Sequence, residues 1–428
     1  MHRSPGADKQ IFGTFQVNVF GDTVDDPWAR GYLTRRQNKR IERIFPLHDF
    51  RDEVFGNPQG DGWSWSRSAE LLKRHGFTAV KFDTSKFVPA DANQATSCDF
   101  DDVEVLEDIY FPQVKQALVK LTGAKEIFIT NSIVRRGETG ASIDGCTKTT
   151  GDRSNFQHVQ DTAVTNGENK TEEANYKALH DNKPTHLKSS DNARPSRVPH
   201  MDYTPLGARC AIRSWRPDIY HAAVKSGVIP TEDAICASAQ VDPQTHDSDA
   251  VINSEYNYGG KLGPRYAAYS VWRPLHTVTR DPLAMAPRCT FNGNQELTFA
   301  PRYLKVLAAP SMKGDFLREL EALFITEENA MKAANENANT DRATPGANGE
   351  VEQLPSSSLA SSDPQWYYLA EQKPNEVIVL KFFDSAALVD DGQHSEEASS
   401  VPHASPDIGK ASYGSARESI EVRCIAFW

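Results

Sequence analysis

The pattern of apolar and polar positions divides this chain into short structured segments separated by long polar ones. Ile11 to Phe20 (IFGTFQVNVF) is apolar and β-branched enough for a strand. Ser66 to His75 carries a short helical pattern that Gly76 ends, and Phe77 to Phe82 (FTAVKF) alternates as a strand does. Asp99 to Leu121 places apolar side chains at Val103, Leu106, Ile109, Tyr110, Val114, Leu118 and Leu121. That spacing predicts an amphipathic helix, interrupted at Pro112. Glu126 to Val134 (EIFITNSIV) is the next strand. Gly314 to Ala334 has helical periodicity through Phe316, Leu317, Leu320 and Leu323.

Four further segments read as short strands: Ala208 to Trp215, Tyr266 to Leu275, Glu376 to Phe383 and Ser419 to Trp428. Between them lie polar stretches at about 137–199, 238–261 and 333–363, rich in Asn, Thr, Asp, Lys and Gly. They read as surface insertions in one domain spanning residues 1–428. Short strands separated by long connections predict a sandwich or jelly roll.

Composition narrows the function classes. Lys and Arg total 47 and Asp and Glu 58, so the net charge is −11, which disfavours a nucleic-acid partner. No apolar run approaches the roughly 20 residues that span a bilayer, and the N-terminus lacks the apolar stretch of a signal peptide. A cytoplasmic location without membrane association is expected, and the sequon at Asn169 is discounted for the same reason. The six cysteines (98, 146, 210, 236, 289 and 424) form no CxxC pair, so free thiols are expected rather than a zinc ribbon or redox motif.

The chemistry centres on RVPHMDYTPLGAR. His200 and Asp202 stand two apart, and on a strand residues i and i+2 point to one side. An imidazole and a carboxylate can then converge on one ion. With a second histidine they would form the facial triad of non-haem Fe(II) oxygenases, which leaves coordination positions open. His403, in VPHASP, is the candidate third ligand; His394, in DDGQHSEEAS, is its rival. Arg417 and Ser419 follow His403 by 14 and 16 residues and share one strand face. A guanidinium fork with a neighbouring hydroxyl suits a carboxylate. Trp272 and Arg273 sit on a predicted strand, where one can face the interior; an interior Arg would suit a substrate carboxylate. Tyr203, Tyr368 and Phe383 are further candidates for substrate contact. Phe382 and Phe383 should lie on opposite strand faces, with Lys381 sharing that of Phe383. No GxGxxG, P-loop or Ser-His-Asp arrangement is evident.

The chain also resembles the hydroxylase/desaturase family that includes fungal gibberellin desaturase and proteins related to the cephem methoxylase. The resemblance runs through HMDYTPLGAR at 200–209, YSVWRPLHTVTRDPLA at 269–284, YYLAEQKPNEVIVLKFFDS at 367–385 and RESIEVRCIAFW at 417–428. The segment at 99–129 is similar as well, whereas the polar insertions are longer than that family's. The resemblance implies a mainly β protein with flanking helices around a double-stranded β-helix (jelly-roll, cupin-like) core. It implies Fe(II) at His200, Asp202 and His403, with 2-oxoglutarate chelating the iron and meeting Arg417 and Ser419 at its distal carboxylate. O2 would complete the site, and a small molecule of specialised metabolism would lose a hydrogen. Hydroxylation, desaturation and oxidative ring closure all remain open outcomes. Two other classes compete: a jelly-roll binding protein without catalysis, and a zinc hydrolase. Retention of all five residues argues against the first, and Arg-x-Ser has no role in the second.

Overall fold

The computed structural model describes residues 10–19, 40–56, 62–83, 100–136, 175, 177–187, 195–257, 263–306, 308–312, 316–332, 363–388, 397–409 and 416–428. Its strands are, in chain order, β1 (Ile11–Val19), β2 (Arg40–Asp49), β3 (Phe77–Lys81), β4 (Glu126–Arg136), β5 (Thr185–Leu187), β6 (His200–Met201) and β7 (Tyr266–Pro274). They continue with β8 (Ala284–Met285), β9 (Leu297–Val306), β10 (Phe316–Ile325), β11 (Trp366–Tyr368), β12 (Glu376–Asp384), β13 (His403–Ala404) and β14 (Glu418–Phe427).

Two facing sheets carry the fold. One has the order β3-β12-β7-β14-β4-β5 and the other β1-β2-β11-β8-β13-β6-β10-β9. Within them, β12-β7-β14-β4 and β11-β8-β13-β6 are antiparallel throughout. Following the chain from β4 to β14, the path alternates between these two four-stranded groups except from β8 to β11, which are neighbours in one group, as in a double-stranded β-helix. The expected mainly β core with flanking helices is therefore present. β1 also pairs with β10, which closes seven strands into a ring. Phe15, Phe45, Leu323, Trp366 and Ala404 form an apolar core on its strands, with Phe15 and Trp366 4.4 Å apart. Because strand side chains alternate, sending Ala404 to that core turns His403 to the opposite face, toward the other sheet.

The six-stranded sheet is buried on both faces. The helices Trp65–His75 and Phe111–Thr122 pack outside it against Val379, Ile420, Val422 and Cys424. Pro112 sits in the first turn of its helix, where a missing N–H costs nothing. The interruption expected at Pro112 takes the form of a π-helical turn just before it, Leu106–Tyr110. Among the described residues Cys210, Cys236, Cys289 and Cys424 are free thiols.

Two sequence expectations are corrected. Ala208 to Trp215 is not a strand but part of the helix Pro205–Ser214. Its start signal is local: the Thr204 hydroxyl accepts from the Gly207 N–H at 2.9 Å, and Pro205 opens the first turn. Residues 316–325, expected to be helical, form β10, held by a ten-residue antiparallel ladder to β9. This strand is covered on both faces, so apolar residues occur at odd and even positions and mimic a helical period. The polar stretch at 238–261 contains the helix Asp247–Tyr256, which Arg209 anchors through Ser248 at 2.9 Å and Asp249. Of the 137–199 stretch, Thr185–Leu187 adds a strand parallel to β4; residues 333–362, His394 and Asn169 lie outside the described residues.

Gly207 lets this helix touch β10. A Cβ there would sit 2.2 Å from the Glu319 carbonyl oxygen. Gly207→Ala is therefore expected to cost about 1–3 kcal/mol of stability through overpacking against backbone. Denaturant unfolding checks this, and an unchanged midpoint would show that the two elements separate easily.

Candidate metal centre

β6 and β13 are neighbours, and His200 pairs directly with His403. Their ring centroids are 4.3 Å apart. Asp202 lies just past the end of β6, with one carboxylate oxygen, Oδ1, 4.0 Å from His200 Nε2. Ligand atoms of His200, Asp202 and His403 all fall within 4.8 Å of one another, and all three residues are buried. This is a donor set that could hold a metal ion.

The surroundings orient each donor. His200 Nδ1 donates to the Val198 carbonyl at 2.8 Å and His403 Nδ1 to the Val401 carbonyl at 3.0 Å. Each ring's Nε2 is thereby left as the lone-pair donor, the arrangement that fixes a metal-binding tautomer. Burial and the adjacent His403 push the His200 pKa down to about 3, so its imidazole is neutral in ordinary buffers. Burial alone would raise the pKa of Asp202, but Arg423, Arg318 and the two imidazoles outweigh it and hold the carboxyl well below its usual range. Arg423 Nε donates to Asp202 Oδ2 at 2.8 Å, and Arg423 also pairs with Glu421 at 3.1 Å. One carboxylate oxygen is thus engaged and the other faces His200. Phe382 stacks on His403 at 5.4 Å.

Ser419, Glu421 and Arg423 share the inward face of β14, and Arg417 stands one residue before the strand. Arg417 NH1 donates to the Asp281 carbonyl at 2.8 Å and to the Ser405 hydroxyl, two residues beyond His403. Its guanidinium lies 5.1 Å from the Trp272 ring. Asp281, the nearby acid, is engaged by Arg197 at 2.5 Å and Arg280 at 3.0 Å. Burial, with Arg135 and Arg197 nearby, pushes the Arg417 pKa down to about 9. Arg417 Nε and the buried Ser419 hydroxyl have no hydrogen-bond partner among the described residues. A buried, imperfectly balanced guanidinium beside an idle hydroxyl fits an anionic ligand.

The substrate candidates divide. Tyr203 and Trp272 face the space between the sheets. Arg273 does not: it points to the helical layer, its guanidinium 5.3 Å from the Phe100 ring and 5.5 Å from that of Tyr110. Tyr368 faces the ring core of Phe15 and Trp366, and Tyr367 is the residue on the His403 side, since it pairs with Met285, which pairs with His403. Phe383 packs against Tyr266 at 5.0 Å within the core, so the phenylalanine that reaches His403 is Phe382. A bulge between Lys381 and Phe383 breaks the alternation. It sends both phenylalanines inward and puts Lys381 on the other face, bound to Glu397 at 2.6 Å and Asp384 at 2.8 Å.

The sequence favours Phe383 over Phe382 and does not single out Arg135, Arg318 or Arg423. The alternation of RESIEVRC, polar at Arg417, Ser419, Glu421 and Arg423, was the signal for the last. Arg423→Gln is expected to weaken metal retention roughly ten- to hundred-fold by releasing Asp202. Metal content after dialysis measures it; retention equal to that of the unaltered protein would show that Asp202 needs no such support.

A family profile described as the oxidoreductase/YMDC permease-like domain matches residues 71–228 and 327–427. The chain belongs to this oxidoreductase family. Among curated proteins, oxidoreductase chry3 of Gibberella zeae is 26% identical over 83% of this chain and 84% of its own length. The gibberellin cluster GA4 desaturase of Gibberella fujikuroi is 24% identical over 85% and 84%. Hydroxylase/desaturase efuI of Hormonema carpetanum is 26% identical over 47% of this chain and 55% of its own. Among solved structures, the iron and alpha-ketoglutarate-dependent endoperoxidase NvfI aligns over 98% of this chain and 99% of its own, at 16% identity and a TM-score of 0.45. Despite the word permease in the family's description, no described helix is long and apolar enough to cross a membrane.

Proposed function

We propose that this member of the oxidoreductase family is an Fe(II)- and 2-oxoglutarate-dependent oxygenase acting on a C–H bond of a small molecule. One observation carries the reading: a buried His-Asp-His donor set stands beside a buried Arg-Ser pair with idle polar atoms. Bound Fe(II) would supply the redox chemistry that activates O2 at the expense of 2-oxoglutarate. The chain's part is to position and to exclude water. His200, His403 and Asp202 would hold the metal, with the Val198 and Val401 carbonyls and Arg423 fixing their orientation. Arg417 and Ser419 receive the distal carboxylate, Arg417 being steadied by Ser405 and Asp281. Phe382 and Trp272 keep the site dry, which strengthens each charged contact.

Desaturation or oxidative ring closure on the same site is the second reading, and the names of the desaturase and hydroxylase/desaturase relatives favour keeping it. The test is a mass-spectrometric screen of candidate small molecules with Fe(II), 2-oxoglutarate and O2. A gain of one oxygen marks hydroxylation, and a loss of two hydrogens marks desaturation or cyclisation. Product formed without 2-oxoglutarate would overturn the proposal.

A further inference from the structure

The space between the sheets carries more positive charge than its own groups neutralise. Arg135, Arg318, Arg417 and Arg423 face it, against Asp202 and Glu421. Arg423 is matched by those two acids at 2.8 and 3.1 Å. Arg135 lies directly across from Ser419, at the Arg417 end, where after burial its charge helps to push the Arg417 pKa down. Arg318 stands apart. It lies on β10, four residues before Ala322, which pairs with His200, so strand alternation puts Arg318 on the face of the metal donors. Its guanidinium is 5.2 Å from the Tyr203 ring, and its charge reaches Asp202. The residue is only 8% exposed, Nε has no hydrogen-bond partner, and no carboxylate pairs with it among the described residues. The Thr204 N–H donates to the Glu319 carbonyl at 3.2 Å, which fixes Arg318 beyond Asp202. That is the end away from Arg197, Ser405 and Arg417, where the co-substrate's carboxylate would lie.

We infer that Arg318 is the anchor for the primary substrate, and that this substrate bears an anionic oxygen group, a carboxylate by preference. The inference rests on the function proposed above and names its substrate class. Fe(II) and 2-oxoglutarate carry opposite charges of two, so binding both leaves the surplus of positive charge in place. Arg417 and Arg135 serve the co-substrate end, and Arg423 is occupied with Asp202. Arg318 is then the guanidinium left to receive a second anion, and a planar fork beside an aromatic ring suits a carboxylate. Buried charge without an acid partner is costly and is relieved when an anion arrives.

The probe is benzoate, compared with benzamide of the same shape but no charge. Each is added to Mn(II)-loaded protein saturated with 2-oxoglutarate, and thermal unfolding is followed. Benzoate is expected to raise the melting temperature in proportion to the logarithm of its concentration, while benzamide leaves it in place. Arg318→Gln should abolish the benzoate shift while 2-oxoglutarate still binds. Arg318→Lys, which keeps the charge and should fold if the Gln variant does not, should retain a reduced shift. No benzoate shift in the unaltered protein, or a full shift in Arg318→Gln, would overturn the inference. A failure to bind 2-oxoglutarate at all would instead strike the functional proposal, so the two failures are distinguishable.

Discussion

His200→Ala, Asp202→Ala and His403→Ala should each abolish turnover and strip the protein of iron while leaving it folded. A facial triad has three protein donors and no spare, so losing one leaves two ligands in a site built for three. The three side chains are buried within 4.8 Å of one another, and no other group of three or more His, Cys, Asp or Glu among the described residues could hold a metal. Asp202→Ala should be the most severe for metal binding. It removes the only negative donor and leaves Arg423, held to Asp202 at 2.8 Å, facing the metal position with its charge less balanced. Iron content by elemental analysis, beside circular dichroism for the fold, reads the result. A folded His403→Ala that keeps iron and activity would remove that residue from the site.

The second large effect is expected at Arg417. Arg417→Gln should weaken 2-oxoglutarate by on the order of 2–5 kcal/mol, roughly thirty-fold to several thousand-fold, because a charge-assisted contact in a dry site is lost. Ser419→Ala should cost about 1 kcal/mol, the value of one neutral donor. Metal affinity should stay within a few-fold in both, since neither side chain touches the triad. Calorimetric titration of 2-oxoglutarate into the Mn(II)-loaded variants separates these values. Unchanged affinity in Arg417→Gln would move the carboxylate elsewhere, with Arg135, opposite Ser419, the next residue to replace.

Much of this site was legible in the chain because its signals are local. HxD spans three residues, and Arg-x-Ser follows His403 on a segment whose polar-apolar alternation is clean. The helix Pro205–Ser214 carries a Thr-Pro start signal, but its apolar residues fit a strand equally well. The faces of β7 and β12 were not legible. Every residue of both strands is buried, so burial gives no alternation from which to decide between Trp272 and Arg273. The bulge at Phe382 leaves no mark in composition, yet it decides which phenylalanine meets His403. Arg318 was hidden for another reason: FLRELEALFI reads as a helix until β9 and β6 pair with it, and such partners are not visible in the sequence of a strand.

If one site binds iron and 2-oxoglutarate together, anaerobic absorbance spectroscopy of the purified protein, with Fe(II) and 2-oxoglutarate added singly and jointly, will reveal it. A visible charge-transfer band should arise only when both are present, saturate at one equivalent of each, and be lost in Asp202→Ala. Absence of that band from iron-loaded, folded protein saturated with 2-oxoglutarate would contradict the account.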